Sequence, residues 1–183
     1  RNCFSAANGR IGMVKIAGLA SNRGRNLLHI ADRAPGGAEL SIVLTNEDGA
    51  PVLEGAAERG IPTEVVTREE DGSRESHEQR IVETLEGYDF DIVCLDGYMR
   101  ILTDEFLDSA PTTLNVHPAL LPAFPGMDAH EQVLAAGVRM TGCTIHVVTE
   151  EIDAGPLPTQ EAVPRRQADG VGHPQRPAHK AGQ

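Results

Sequence analysis

The type of fold is indicated by the segment Val14-Lys15-Ile16-Ala17-Gly18-Leu19-Ala20, followed by Ser21-Asn22-Arg23-Gly24-Arg25-Asn26. The first part is a short, mostly apolar run of the kind that forms a buried strand, and helical periodicity begins at Leu27, after the polar loop. A strand, a glycine-containing loop and a helix in this order open a parallel α/β unit.

The rest of the chain repeats this alternation. Strands are predicted over residues 40–44, 61–66, 90–95, 113–116, 142–149 and 156–163, and further helices over 51–59, 75–85, 104–107 and 129–136. Strands that alternate with helices predict an α/β fold, a doubly wound and mainly parallel sheet with helices on both faces. The prolines at 118, 122 and 125 predict a rigid loop after the fifth strand.

Composition divides the chain into three parts. Residues 1–12 carry no hydrophobic periodicity and are interpreted as an extraneous leader before Met13. Residues 13–163 form the predicted domain. Residues 164–183 are rich in proline and glycine and contain one bulky aliphatic residue, Val171, so a disordered or frame-shifted tail is expected.

The charge balance is strongly acidic. The chain has 27 acidic and 16 basic residues, a formal net charge of −11, which argues against a nucleic-acid partner. The excess lies within residues 13–163, which hold 26 acidic and 10 basic residues. A dense carboxylate shell keeps a protein hydrated where salt screens its self-repulsion, so a halophilic, haloarchaeal-like source is predicted.

Cysteine content and hydropathy exclude several classes. The three cysteines, Cys3, Cys94 and Cys143, are too scattered for a disulfide framework or a zinc knuckle. No apolar run approaches the ~18 residues that a membrane span needs, and no signal peptide is evident. We therefore expect a soluble, cytoplasmic protein without a membrane partner.

Active sites of open parallel sheets lie beyond the carboxyl ends of the strands, so the polar residues there are the candidates. Gly24, Arg25 and Asn26 lie where a loop enters a helix, and a helix N-terminus with nearby arginines favours a phosphate group. A tight turn with solvated arginines is an equally good interpretation of this segment.

A second candidate cluster combines an amide, an imidazole and a carboxylate. Asn115 and His117 are two residues apart in a strand and project to the same side, which suits acyl chemistry. Asp153 precedes Ala-Gly-Pro in a tight loop, and a carboxylate beside an imidazole stabilises its protonated form. The structural alternatives are a histidine satisfied at a strand end and, for Glu150 and Glu151 but not for Asp153, a solvated acidic turn.

Apolar loop residues form a third candidate. The segment from Tyr98 to Leu102 lies in a loop and suits a flat organic ligand, although packing beneath the loop is the better interpretation of Leu102. His146 is interpreted as a sheet residue and His130 as a possible accessory to the site. A zinc site built from His117, His130 and Asp153 lacks a familiar ligand spacing, so no metal is predicted.

Three blocks in order carry a family resemblance: Asp-Gly-Tyr-Met-Arg-Ile-Leu (96–102), Leu-Asn-Val-His-Pro-Ala-Leu-Leu-Pro-Ala-Phe-Pro-Gly (114–126) and Val-Thr-Glu-Glu-Ile-Asp-Ala-Gly-Pro (148–156). From about Val14 to Val163 the chain resembles the folate-dependent glycinamide ribonucleotide transformylases of purine synthesis, also called phosphoribosylglycinamide formyltransferases. The resemblance implies formyl transfer from 10-formyltetrahydrofolate to the amine of 5-phosphoribosylglycinamide, by a monomer or homodimer.

The resemblance also implies residue roles. His117 would be the general acid and base, Asn115 the oxyanion partner and Asp153 the carboxylate that assists the histidine. The folate would contact Arg74, Met99, Arg100, Ile101, Leu102 and Asn115, and the substrate phosphate would contact Gly24, Arg25 and Asn26.

Two departures from the family pattern leave other interpretations open. The phosphate loop reads Asn-Arg-Gly-Arg-Asn (22–26) where the family usually has Gly-Asn-Gly-Ser-Asn, and the family's long closing helix is not recognisable after residue 163. A formyltetrahydrofolate hydrolase, a methionyl-tRNA formyltransferase and an inactive folate- or nucleotide-binding remnant are the alternatives.

Overall fold

The computed structural model describes residues 13–33 and 35–165. Its strands are β1 (Lys15–Leu19), β2 (Glu39–Thr45), β3 (Thr63–Val65), β4 (Ile92–Leu95), β5 (Thr113–His117), β6 (Met140–Val147) and β7 (Thr159–Pro164). Its α-helices are α1 (Arg25–Arg33), α2 (Pro51–Ala57), α3 (Arg74–Leu85), α4 (Asp104–Ser109) and α5 (Ala129–Ala135), with a 3-10 turn at Pro35–Gly37.

The strands form one sheet in the order β3-β2-β1-β4-β5-β6-β7. The first five strands pair in parallel, whereas β6 pairs antiparallel with β5 and with β7. The prediction of a mainly parallel sheet is confirmed. The order reverses at β1 and β4, which is where an open parallel sheet leaves a crevice for ligands.

Helices cover both faces of the sheet, as predicted. Alternate residues of a strand point to opposite faces, and β2 shows this clearly. Its Val43 packs in one cluster with Leu27 of α1 and Val52 of α2. Its neighbour Leu44 packs in the other, with Ile81 of α3 and Phe106 of α4.

The observed boundaries differ from the predicted ones by a few residues. The α1 helix begins at Arg25, because Gly24 is the last residue with a loop conformation before it. β7 runs to Pro164, and the Arg165 N–H donates to the Arg139 carbonyl at 2.8 Å, so the strand passes the predicted boundary at residue 163. The predictions for residues 1–12 and 166–183 lie outside the described residues.

No helix in the described part of the chain is long and apolar enough to cross a membrane.

β6 and β7 approach so closely at Gly142 that an added Cβ would lie 1.9 Å from the Glu161 carbonyl oxygen. The variant Gly142→Ala should therefore lower the free energy of unfolding by about 1–3 kcal/mol, since the strands must separate to admit the methyl group. Urea unfolding measures the change. Gly87→Ala is the matched control, because its added Cβ would lie 3.5 Å from the nearest atom, an ordinary contact. Equal losses in the two variants would contradict the assigned β6–β7 packing.

Candidate active site

Loops that follow β1, β2 and β4 meet at the reversal of strand order, and Ser21 joins them. Its Oγ donates to Asn46 Oδ1 at 2.6 Å and accepts from the Met99 N–H at 2.7 Å. One hydroxyl thus fixes the relative positions of the predicted phosphate loop and the predicted folate segment.

The predicted phosphate loop is held against α2. Gly24 has φ +51°, and an added Cβ would lie 2.5 Å from Val52 Cγ2, so the position requires glycine. The Asn22 carbonyl accepts from the Val52 N–H at 3.0 Å. This packing leaves Arg25 exposed as the first residue of α1.

An internal carboxylate occupies the N-terminus of α1. Asp96 accepts hydrogen bonds from the Asn26 N–H at 2.7 Å, the Asn26 Nδ2 at 2.8 Å and the Leu27 N–H at 3.4 Å. Asn26, predicted to hold phosphate, thus already has its backbone N–H and one side-chain N–H engaged. The sequence pattern did not indicate this contact, because Asp96 is seventy residues away along the chain.

Removal of the Asp96 carboxylate should destabilise the protein. Asp96→Ala is expected to lower the free energy of unfolding by about 1–3 kcal/mol, since three donors at the start of α1 lose their acceptor. The control is Asp89→Ala, whose exposed carboxylate pairs with Lys15 Nζ at 2.6 Å and should matter little. Thermal or urea unfolding compares the two. A smaller loss for Asp96→Ala than for Asp89→Ala would show that the α1 cap is not stabilising.

The predicted folate residues line a cleft. Its volume is about 210 Å³, and its walls are Arg68, Arg74, His77, Glu78, Met99, Arg100 and Ile101. Met99 is 63% exposed, which leaves apolar surface beside three guanidinium groups. Two predicted contacts, Leu102 and Asn115, do not line this cleft, and Asn115 lies on β5 beside His146. Leu102 is 3% exposed and packs in the same hydrophobic core cluster as Tyr98 and Phe106, beneath the loop.

A buried carboxylate on α3 fixes the end of this loop. Glu78 accepts from the Thr103 N–H at 3.2 and 3.1 Å and also from the Thr103 hydroxyl. Thr103 in turn caps α4, with the Phe106 N–H 3.4 Å from its Oγ1. Thr103 and Glu78 are 25 residues apart along the chain, so the pattern of the sequence does not reveal their contact.

The predicted catalytic residues come together. Asn115 and His117 lie on the same face of β5, and His117 is only 3% exposed. His117 Nδ1 is 3.2 Å from Asp153 Oδ2, and its Nε2 is 2.8 Å from the Phe124 carbonyl oxygen. Both ring nitrogens therefore have fixed partners.

Asp153 reaches this position because its loop folds back on β6. The loop is closed at its base by the Val147 N–H, which donates to the Pro156 carbonyl at 2.9 Å. Gly155 makes that closure possible, since an added Cβ would lie 1.9 Å from the Val147 oxygen. Asp153 adopts φ +55°, and its Oδ2 accepts from the Gly126 N–H at 2.7 Å. The carboxylate side chain is 9% exposed.

His146 is a member of the cluster that sequence reasoning missed. It is a sheet residue, as predicted, but it lies opposite Asn115 in the β5–β6 pairing and faces the site. Its Nε2 is 3.0 Å from Asn115 Nδ2 and 3.2 Å from Asp153 Oδ1. The signal that could have found it is the antiparallel pairing of β5 with β6, which the spacing of the sequence does not specify.

His130 and Cys94 are ionisable side chains outside this cluster, and their pKa values are shifted. Burial lowers the pKa of His130, and the nearby His117 imidazole lowers it further. Burial raises the pKa of Cys94 to about 11, which keeps the thiol protonated at neutral pH. Within the described ranges, no group of three or more His, Cys, Asp or Glu residues is placed to hold a metal ion.

The arrangement suits transfer of an acyl-type group. An amide donor, an imidazole and a buried carboxylate stand together, with an arginine-lined cleft and a helix N-terminus at the neighbouring strand ends. Residues 14–182 match the formyl transferase family, so the chain belongs to that family. The match extends past Val163, where the resemblance was expected to end.

The chain is similar to proteins of purine synthesis. It is 42% identical over 162 residues to the trifunctional purine biosynthetic protein adenosine-3 of Gallus gallus, covering 86% of this chain and 16% of that protein. It is 36% identical over 155 residues to the phosphoribosylglycinamide formyltransferase of Escherichia coli, covering 82% of this chain and 73% of that protein.

A solved structure shows the same fold. The crystal structure of glycinamide ribonucleotide transformylase 1 from Symbiobacterium toebii matches with a TM-score of 0.88 at 34% sequence identity. The match covers 99% of this chain and 87% of that one.

Proposed function

We propose that the protein transfers the formyl group of 10-formyltetrahydrofolate to the amine of 5-phosphoribosylglycinamide, a step of de novo purine synthesis. The observation that carries the proposal is the contact of His117 with Asp153 beside Asn115, within a chain of the formyl transferase family. Similarity to the Escherichia coli phosphoribosylglycinamide formyltransferase supports the choice of acceptor.

The proposed reaction is a direct transfer. The glycinamide nitrogen attacks the formyl carbon, a C–N bond forms, and the formyl oxygen takes up negative charge in a tetrahedral intermediate. Asn115 donates an N–H to that oxygen. The proton of the attacking amine passes to His117, and N10 of the folate takes up a proton as its bond to the formyl carbon breaks. Formylated glycinamide ribonucleotide and tetrahydrofolate are the products, and this chemistry needs no metal ion.

The contacts of His117 bear on which nitrogen exchanges the proton. The Phe124 carbonyl and the Asp153 carboxylate can only accept, so an imidazolium with a hydrogen on each nitrogen serves both contacts. In the neutral ring, a hydrogen kept on Nε2 preserves the contact with Phe124. Nδ1 is then the nitrogen that can gain and lose a proton without breaking that contact. It lies beside Asp153, whose carboxylate stabilises the imidazolium that forms during transfer.

Binding roles follow from the cleft and the loop. Arg74, Met99, Arg100 and Ile101 are the proposed folate contacts, because guanidinium groups suit the acidic part of a folate and apolar side chains suit its flat rings. Leu102 supports this segment from beneath. Gly24 and Arg25 are the proposed phosphate contacts, and Asn26 shapes the loop through Asp96.

His117→Ala and Asp153→Asn should each lower turnover by about a thousandfold or more, since proton transfer loses its carrier or the carboxylate that stabilises it. Folate affinity should change by less than about threefold, because neither residue lines the folate cleft. The assay follows tetrahydrofolate release, and equilibrium titration measures folate binding.

Glu150→Gln is the matched control, since Glu150 is an exposed carboxylate in the same loop and should be dispensable. Full activity in either site variant would overturn the assigned roles. Formate release without the glycinamide acceptor would identify a hydrolase instead, and folate binding by folded wild-type protein without turnover would identify a binding remnant.

We also propose that the protein works in a salt-rich cytoplasm. Residues 13–163 hold 26 acidic and 10 basic residues, and salt screens the repulsion among so many carboxylates. The midpoint of thermal unfolding should therefore rise between about 0.1 M and about 2 M KCl. A maximum of stability and activity at low ionic strength would contradict this adaptation.

A further inference from the structure

His146 is a buried histidine, 3% exposed, in contact with two of the three proposed catalytic residues. We propose that it is a positioning residue that holds the Asn115 amide in the orientation needed for transfer. This inference rests on the proposed function, because it assigns His146 a task in the same reaction.

The β5–β6 pairing places the two side chains together. Asn115 and His146 are direct partners across antiparallel strands, so their side chains leave the same face of the sheet as neighbours. The Asn115 Nδ2 lies 3.0 Å from His146 Nε2. Two strands in register thus fix the distance between the amide and the ring, and no flexible loop is involved.

The contacts of His146 define which tautomer can orient Asn115. His146 Nδ1 is 3.1 Å from the Val147 carbonyl oxygen, which can only accept, so Nδ1 carries a hydrogen. In the neutral ring Nε2 is then an acceptor, and it receives an N–H from Asn115. A hydrogen on Nε2 would instead be donated to Asp153 Oδ1 at 3.2 Å, and the Asn115 amide would then have to turn its oxygen toward the ring. The proposal therefore requires the neutral Nδ1–H form, which holds the Asn115 Nδ2 against Nε2.

This orientation has a chemical consequence. One N–H of the Asn115 amide is held by His146, so the second is directed away from the ring and is available to the developing oxyanion. An amide free to rotate could present its oxygen to the same place, where it would repel negative charge. His146 excludes that arrangement and therefore acts on the transition state through Asn115, without touching the substrate.

The test is a double-mutant cycle in the full chain. His146→Leu should lower kcat about 30- to 100-fold and change KM by less than about threefold, because the lost orientation matters in the transition state. In the Asn115→Ala background the same change should cost less than about threefold, since no amide remains to be oriented. His146→Gln should keep kcat within about tenfold of wild type, because its amide oxygen can replace Nε2 as the acceptor.

Thr141→Val is the matched control, as Thr141 is a buried polar residue of β6 outside the site, and its kcat should equal that of wild type. Equal losses from His146→Leu in both backgrounds, or unchanged kcat, would overturn the proposal. If His146→Leu does not fold, a folded His146→Gln protein as inactive as Asn115→Ala would overturn it too.

A measurement independent of turnover separates this inference from the proposed function. Long-range ¹H–¹⁵N spectra of the wild-type histidines at neutral pH should show His146 with hydrogen on Nδ1 and an acceptor Nε2, and Asn115→Ala should shift the Nε2 resonance. Hydrogen on Nε2 would overturn the orienting role. Absence of turnover together with the expected tautomer would contradict the proposed function while supporting the Asn115–His146 contact.

Discussion

The buried carboxylate of Asp153 is the constraint on which the site depends. It lies between the imidazoles of His117 and His146, each at 3.2 Å, and accepts the Gly126 N–H at 2.7 Å. A buried carboxylate is costly unless it is paired and hydrogen-bonded. The Gly126 N–H supplies one donor, and His117 supplies a second when its Nδ1 is protonated. The positive φ of Asp153 and the close turn at Gly155 are the backbone features that bring it there.

Three further polar contacts fix the loops that form the proposed binding regions. Ser21 joins the loops after β1 and β4, Asp96 caps α1, and Glu78 fixes the end of the folate segment through Thr103. Each contact links elements far apart in sequence. The polar network therefore sets the shape of both proposed binding regions before any substrate arrives, which reduces the ordering that binding must impose.

The features of this structure that can be predicted from the sequence are those that the local pattern of apolar and polar residues determines. Strand ends could be placed from apolar runs, so Asn115, His117 and Gly24 were found as candidates from their positions alone. Pairing between strands is non-local, and for that reason the sequence predicts His146 only as a sheet residue. The same limit applies to Asp96, whose contact with Asn26 depends on the neighbouring positions of β1 and β4.

The proposed direct transfer between the two substrates can be tested by the fate of a labelled formyl carbon. Purified protein would be mixed with 10-formyltetrahydrofolate labelled at the formyl carbon and with 5-phosphoribosylglycinamide. The label is expected to appear on the glycinamide nitrogen in a one-to-one ratio with released tetrahydrofolate. Label recovered as free formate, with none on the glycinamide, would contradict it.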